Sequence, residues 1–169
     1  MAKNTNVVRS DGISTAKLDQ KDRRLLTLLA TDASQSYAEL GRQLHLSAPA
    51  VHERVKRLKS EGVITGTVAR LDSSKIGRPL LAFIHVDTSS WAVTRSILSL
   101  KALPEVEEIH TVAGDSAMLL KVRTQDTRSL EGLLEVIHSI DGFTGTRSYI
   151  VLTPHLERGP APLLSDSSG

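Results

Sequence analysis

Apolar residues in the first third of the chain recur at the spacing of three short α-helices, each preceded by a residue that caps helices well. The predicted helices cover residues 18–30, 36–45 and 47–61. Their predicted N-caps are Asp19, Ser36 and Ser47, and Glu39 completes a capping box with Ser36. Because only a very short turn separates the second helix from the third, residues 18–62 are predicted to form a helix-turn-helix domain.

The apolar pattern of the second half alternates between strands and helices in the order β-α-β-β-α-β. The predicted strands cover residues 80–86, 106–113, 117–122 and 146–152, and the predicted helices cover residues 91–103 and 127–140. This order is that of the ferredoxin-like split βαβ motif. The chain is therefore predicted to be an α+β protein, with a helix-turn-helix domain followed by a ferredoxin-like βαββαβ domain.

The segments outside these two regular patterns are short. Residues 63–79 are predicted to be a hinge, in which the β-branched run 63–71 forms a strand and the rest forms a linker. The ferredoxin-like domain is then expected over residues 80–152. The polar ends of the chain, residues 1–17 and 153–169, are expected to be a disordered N-terminal tail and a flexible C-terminal tail.

Composition excludes several classes of protein. The chain has no cysteine, which excludes a disulfide scaffold, a cysteine nucleophile and a cysteine-ligated metal site. It has no apolar run near the ~20 residues that a membrane helix needs, and its N-terminus lacks the pattern of a signal peptide. Residues 1–62 contain 11 Lys or Arg and 7 Asp or Glu, so they carry a net charge of +4, whereas the whole chain carries +2. We expect a cytoplasmic protein with no membrane partner, whose basic part binds nucleic acid.

The third predicted helix explains the positive charge of this part. If Val51, Val55 and Leu58 face the core, basic and polar residues cover the other sides, as on a recognition helix in the major groove of DNA. The residues predicted to contact DNA are Ser36, Arg42, Ser47, Ala48, Pro49, His52, Arg54, Lys56 and Arg57, and Lys59 is a further candidate. The alternative is the solvated face of an ordinary helix. Glu53 is expected either to pair with Arg57 or to repel phosphate from an incorrect register.

Motifs in both predicted domains share one resemblance. They include Leu18-Asp19-x-x-Asp22, Ser36-x-x-Glu39-Leu40-Gly41, Arg54-Val55-x-x-Leu58-x-x-x-Gly62, Val112-Ala113-Gly114-Asp115 and Thr146-Arg147-Ser148-Tyr149. In this order, over residues 18–152, they resemble the Lrp/AsnC (leucine-responsive and asparagine regulator) family of transcriptional regulators. The resemblance implies a winged-helix-like helix-turn-helix domain and a ferredoxin-like domain that senses a small molecule, commonly an amino acid.

The resemblance also implies partners. They are double-stranded DNA, an amino acid or related effector, and a second copy that pairs through the sheet, with an octamer of four dimers as a larger assembly. A lone βαββαβ sheet has one face without helices, which fits pairing with a copy. The implied function is sequence-specific transcriptional regulation, with DNA binding or assembly modulated by the effector.

The effector site implied by the resemblance lies around the turn between the second and third strands of the ferredoxin-like domain. Its candidate residues are Thr111, Gly114, Asp115, Ser116, Ala117, Thr146 and Arg147. Asp115 is expected to accept from an ammonium group, and backbone N–H groups of the turn to hold a carboxylate. Ser116 and Ala117 stand where family members often have an aromatic residue and an aspartate, so leucine or asparagine is not assumed as the ligand. The alternative is a simple hairpin turn at Gly114-Asp115.

Two further functions stay open beside the regulator. One is an architectural DNA-binding protein without an effector, which the missing carboxylate at Ala117 favours. The other is an enzyme similar to the sirohaem decarboxylases, which share the two-domain architecture and for which His85, His110 and Arg147 are candidates. The six histidines lack metal-ligand spacing, and signatures of serine nucleophiles and nucleotide-binding loops are absent. The sequence therefore predicts no catalytic residue, no metal site and no cofactor.

Overall fold

A computed structural model describes residues 16–162 of the chain. These residues divide into two compact units. The first, here called the helical unit, contains residues 16–69 and 158–162, and the second, the sheet unit, contains residues 70–157. Most of the predicted N-terminal tail and the end of the predicted C-terminal tail, at positions 1–15 and 163–169, lie outside the described residues.

The helical unit contains the three helices that the apolar pattern predicts. They are α1 (Gln20–Thr31), α2 (Tyr37–Leu44) and α3 (Ala48–Ser60). All three predicted N-caps are confirmed, and both Asp19 and Ser36 form capping boxes with the residue three positions on. The buried core between the helices consists of Leu25, Leu40, Leu44, Val51, Val55 and Leu58. One apolar side of each helix is thereby removed from water, which is the main source of stability for such short helices.

The turn between α2 and α3 is too tight for most residues. Leu46 N–H donates to the carbonyl oxygen of Gly41 at 2.9 Å, so the chain reverses directly against α2. A Cβ atom on Gly41 would lie 2.5 Å from that same Leu46 carbonyl. His45 ends α2 in the left-handed conformation, with φ of 53°. The helix-turn-helix geometry therefore depends on glycine at position 41.

The predicted hinge strand is wrong. No residue between 63 and 71 has strand structure, although the first two backbone N–H groups, of Val63 and Ile64, both donate to the Leu58 carbonyl. A strand needs a second strand to satisfy its backbone groups, and none lies beside this segment within the described chain. Val68 is left 91% exposed and Leu71 64% exposed. β-Branched residues favour the extended backbone that is typical of strands, but composition alone does not supply the neighbouring strand with which such a segment must pair.

The sheet unit follows the predicted order of elements. They are β1 (Leu80–Thr88), α4 (Trp91–Ile97), a 3₁₀ helix (Leu98–Ala102), β2 (Val106–Thr111), β3 (Met118–Thr124), α5 (Thr127–His138) and β4 (Phe143–Ile150). The strands form one antiparallel sheet in the order β2-β3-β1-β4. The predicted split βαβ arrangement is confirmed, because β3 lies between β1 and β2. The helix predicted over 91–103 tightens to 3₁₀ geometry in its last turns, as helix ends often do.

The two faces of this sheet differ. One face packs against the helices in a core that includes Ile84, Val86, Leu120, Leu133 and Ile137. The opposite face, here called the open face, carries the alternate residues of each strand. Among residues 16–162, no helix is both long and apolar enough to cross a membrane.

Candidate nucleic-acid interface and ligand site

The exposed side of α3 begins at a well-formed helix N-terminus. The Ser47 hydroxyl accepts from the Ala50 backbone N–H at 3.3 Å, and Pro49 occupies the first turn, where its missing N–H costs nothing. Pro49, His52 and Lys56 are all exposed. Lys56 forms no ion pair with any residue of the described chain. The first two turns of α3 thus present polar side chains, a positive helix end and a cation available to an anionic partner.

The two arginines of α3 do not share this environment. Arg54 Nη1 donates to Asp19 Oδ2 and to Asp22 Oδ1, both at 2.7 Å, and Arg57 Nη2 donates to Asp22 Oδ2 at 2.7 Å. The Asp22 carboxylate therefore contacts two guanidinium groups, and Asp22 is only 1% exposed. We call Asp19, Asp22, Arg54 and Arg57 the arginine clamp. The helical wheel assigned both arginines to DNA, whereas the structure directs them to α1; their contact with DNA stays a prediction.

Hydrogen bonds within the clamp shift the pKa values of Asp19, Arg54 and Arg57. Burial tends to raise the pKa of Asp19, but hydrogen bonds from the Asp22 backbone N–H and from Arg54 outweigh it and lower that pKa. Hydrogen bonds to Asp19 and Asp22 raise the pKa of Arg54, and those to Asp22 and Glu61 raise the pKa of Arg57. The hydrogen bonds therefore favour the charged forms of Asp19, Arg54 and Arg57, and the clamp fixes α3 against α1 by charge-assisted hydrogen bonds.

The remaining residues predicted to contact DNA have varied surroundings. The Ser36 hydroxyl is engaged in its capping box, where it donates to Glu39 Oε2 at 2.7 Å. Arg42 is exposed on α2. The His52 ring lies 5.5 Å from the ring of Tyr37, an exposed aromatic residue that the pattern did not single out. Ser47 and Ala48 lie at the start of α3.

The expected pairing of Glu53 with Arg57 is wrong. Arg57 Nη1 instead lies 3.1 Å from Glu61 Oε2, four residues toward the C-terminus. Glu53 Oε1 lies 3.4 Å from His52 Nδ1. The stronger pull on Arg57 comes from Asp22, which no periodic pattern within α3 could indicate.

In the sheet unit, a polar cluster forms on the open face where the turn before β3 meets β1 and β4. Arg147 Nη2 donates to Ser116 Oγ at 2.7 Å and to the Asp115 carbonyl at 3.4 Å, while its Nη1 lies 3.4 Å from Asp87 Oδ2. His85 Nδ1 lies 2.9 Å from the same Ser116 hydroxyl. We call His85, Asp87, Ser116 and Arg147 the Ser116 cluster. The sequence motif predicted Ser116 and Arg147 as ligand residues, whereas His85 was a candidate only for an enzyme and Asp87 was not singled out. The strand register places both His85 and Asp87 beside Arg147.

The structure does not bring all seven predicted ligand residues together. Thr146 pairs with Val86 on the helix-covered face, and its Oγ1 lies 3.3 Å from His138 Nε2 on α5. It therefore points away from Arg147, as neighbouring residues of a strand must. Thr111, the last residue of β2, is exposed. Gly114 and Ala117 flank the turn residues of the cluster, and Ala117 N–H donates to the Val86 carbonyl at 3.1 Å.

Two histidines also share a row with Arg147 across the open face. Leu119 is the register partner of both His110 and His85, and His85 is the partner of Arg147. His110 Nε2 lies 2.8 Å from Glu108 Oε2, so its ring is held on its own strand. The ring centroids of Tyr149 and His85 lie 5.4 Å apart, and the two rings meet at a steep angle of 69°. The three residues considered for an enzyme are thus aligned on three strands, β2, β1 and β4, with Leu119 of β3 between the two histidines.

Comparison with known proteins identifies both units. Residues 18–59 match the AsnC-type helix-turn-helix domain, and residues 81–161 match the Lrp/AsnC ligand binding domain. The transcriptional regulator FL11 of Pyrococcus horikoshii is 32% identical over 146 residues, which cover 86% of this chain and 97% of the relative. The proline dehydrogenase transcriptional activator of Rhizobium radiobacter is 35% identical, with 86% and 96% covered. The structure of E. coli AsnC superposes with a TM-score of 0.80 at 30% identity and covers 87% of this chain and all of that one (100%).

These similarities define a DNA-binding transcriptional regulator with a helix-turn-helix domain and a small-molecule-binding domain. The chain belongs to the Lrp/AsnC family. The fold class inferred from the sequence motifs is confirmed by the same findings.

Proposed function

We propose that this regulator reads DNA with the N-terminal turns of α3 and that Arg54 and Arg57 hold that helix in place. The observation that carries the proposal is the contrast within one helix. Pro49, His52 and Lys56 are exposed, whereas the two arginines are tied to Asp22. A recognition helix must both reach the base edges and keep a fixed angle to its domain, and the two sets of side chains supply these two needs.

Salt-dependent binding to a duplex tests this division of roles. Lys56→Ala should weaken binding and reduce the slope of log K against log salt by about one unit, because one phosphate contact is lost. Lys101→Ala, the same change at an exposed position of the sheet unit, is the matched control and should leave the slope unchanged. Equal slopes for Lys56→Ala and the unaltered protein would show that α3 does not face the phosphates.

The effector is proposed to be an amino acid bound at the Ser116 cluster. Arg147 is exposed, and its guanidinium has five N–H donors, more than its contacts with Ser116, Asp115 and Asp87 use. The spare donors suit a carboxylate, and the acidic Asp115 of the neighbouring turn suits an ammonium group. The name of one relative, proline dehydrogenase transcriptional activator, favours the same class of ligand.

A thermal-shift screen of the twenty amino acids tests the effector directly, since a ligand that binds only the folded state raises Tm. We expect at least one to raise the Tm of the unaltered protein. Arg147→Gln should abolish that shift, whereas Arg95→Gln, an exposed arginine on α4, should retain it. A shift that survives Arg147→Gln would place the ligand elsewhere.

Binding DNA without an effector is the second candidate. Its support is that the Ser116 hydroxyl already has two partners, His85 and Arg147, inside the protein. A screen with no responding amino acid, together with DNA binding of normal strength, would favour it. Enzymatic chemistry is not proposed. The aligned row of His85, His110 and Arg147 allows one inexpensive check, the absorbance spectrum after incubation with a tetrapyrrole.

We also propose that two copies pair through the open face and the hinge. The open face lacks a helical cover, and its strand β1 leaves Phe83 only half-buried. The hinge presents the unpaired backbone and exposed side chains of Val68 and Leu71. Sedimentation at micromolar concentration should show a dimer or a larger assembly. The protein is proposed to act in the cytoplasm.

A further inference from the structure

Glu53 differs from the other charged residues of α3 because it points directly away from the core of the helical unit. It lies two residues after Val51 and two before Val55, which is about half a turn from each of these buried residues. Pro49 and Lys56, about one turn away on either side, are exposed on the same side of the helix. Glu53 therefore lies in the middle of the surface that is proposed to read DNA.

The Glu53 carboxylate has no lysine or arginine partner within residues 16–162. Its one ionic neighbour there is His52, whose Nδ1 lies 3.4 Å from Glu53 Oε1, and the Glu53 side chain is 69% exposed. Asp19, Asp22 and Glu61, by contrast, each contact an arginine. The negative charge of Glu53 therefore faces solvent and is available to a binding partner of α3.

A phosphate group is not a suitable partner for Glu53, since two negative groups repel each other. When a recognition helix lies in the major groove, its N-terminal residues meet the edges of the bases, where the hydrogen-bond donors are the amino groups of cytosine and adenine. The adenine amino group lies beside the N7 acceptor of the same base, which repels a carboxylate. Cytosine presents its N4 amino group without an acceptor beside it on the same edge, so cytosine is the better partner for glutamate.

We propose that Glu53 is a specificity-determining residue, which accepts a hydrogen bond from the N4 amino group of one cytosine in each half-site. This inference rests on the proposed function, in which the N-terminal turns of α3 read DNA. The same carboxylate weakens binding to every sequence, because it repels the phosphates nearby. Selectivity follows, because only a base with this donor offsets the repulsion.

Selection of sites from randomised duplexes by the unaltered full-length protein, followed by titration of all four base pairs at each position, tests this role. The unaltered protein should prefer cytosine at one position of the half-site by about five- to 100-fold. Glu53→Ala should abolish that preference and keep the preferences at other positions. Glu53→Gln should shift it toward adenine, because an amide both donates to N7 and accepts from the adenine amino group. Both variants should bind random-sequence DNA more tightly than the unaltered protein.

Glu61→Gln is the matched control, because it removes a carboxylate from the opposite end of α3, where Glu61 contacts Arg57. It should leave every base preference unchanged. Because Glu53 is exposed and its ionic neighbour is His52, the Glu53 variants should keep the Tm of the unaltered protein. An unchanged Tm excludes unfolding as the cause of a lost preference.

The inference is wrong if the unaltered protein has no cytosine preference, or if Glu53→Ala keeps it. Tighter binding of Glu53→Ala to all sequences, with unchanged base preferences, would show that Glu53 only repels phosphate. Lys56→Ala, titrated on the same duplexes, separates this failure from that of the proposed function. A reduced salt slope for Lys56→Ala beside an unchanged cytosine preference for Glu53→Ala refutes the role of Glu53 alone. An unchanged slope for Lys56→Ala refutes reading by α3 and, with it, the role of Glu53.

Discussion

Replacing Asp22 by asparagine tests whether the arginine clamp serves stability rather than DNA binding. Asparagine keeps the volume of the side chain but removes the charge that faces Arg54 and Arg57. Removing one partner of a buried ion pair costs about 3–5 kcal/mol. The Arg54 side chain is 26% exposed and can regain water, whereas Asp22 is 1% exposed. We therefore expect the free energy of unfolding to fall by about 2–3 kcal/mol, below the fully buried case.

Calorimetry of the full chain measures this effect. For a unit of this size, the loss corresponds to a fall in Tm of roughly 10–20 °C. Glu61→Gln is the matched control, because it removes a carboxylate from Arg57 at the surface and should change Tm little. A double-mutant cycle of Asp22→Asn with Arg54→Gln should be less destabilising than the sum of the single changes, since both remove one shared contact.

DNA binding separates the two possible roles of the arginines. Arg57→Gln, measured well below its Tm, should keep the salt slope of the unaltered protein, because its side chain is committed to Asp22. If the slope falls by about one unit while the stability is unchanged, Arg57 faces phosphate and the structural reasoning fails. An unchanged Tm in Asp22→Asn would contradict it independently.

Two further predictions concern the turn and the carboxylate caps. Gly41→Ala should lower the free energy of unfolding by about 1–3 kcal/mol, because the new Cβ would lie 2.5 Å from the Leu46 carbonyl oxygen. Gly132→Ala on α5 should instead raise the free energy of unfolding by about 1 kcal/mol, because nothing lies near its Cβ and alanine favours the helix. Urea unfolding of both variants measures the difference, and effects of the same sign would contradict the close contact. The second prediction concerns stability in acid. In the folded protein, hydrogen bonds from Ser36 lower the pKa of Glu39, and hydrogen bonds from Ser129 lower the pKa of Asp126. Groups of lowered pKa stabilise the fold above their ordinary values, so Tm should be constant down to about pH 5 and fall below it, and a rise of Tm in that range would argue against these caps.

Local signals predicted most of the fold. Ser36 and Glu39 are three residues apart, and the stripe of Val51, Val55 and Leu58 repeats at helical spacing, so helix positions follow from the sequence itself. The order of strands and helices then restricts the sheet to few topologies. The hinge prediction failed because β-branched composition indicates only a preference for extended backbone, and no strand of the described residues lies beside residues 63–71 to pair with them.

The candidate sites were harder because their contacts are distant in sequence. Asp22 and Arg54 are 32 residues apart, and Ser116 and Arg147 are 31 apart. A helical wheel treats every charge outside the core stripe as available to a partner, so it could not show that α1 claims Arg54. Strand alternation could have separated Thr146 from Arg147, since neighbouring residues face opposite sides of a sheet.

The arginine clamp also reduces the number of cations on α2 and α3 that are available to bind DNA phosphates. Helices α2 and α3 together carry Arg42, Arg54, Lys56, Arg57 and Lys59. With Arg54 and Arg57 neutralised by carboxylates, Arg42, Lys56 and Lys59 remain, and each contributes a salt slope of about −0.9 if it meets a phosphate. One copy of the helical unit should therefore show a slope no steeper than about −3, and a pair of copies on a two-fold site about −5. Titration of a duplex with one half-site against a duplex with two measures both slopes. Equal slopes on the two duplexes would show that only one copy engages DNA, and the proposed pairing would then have no part in binding.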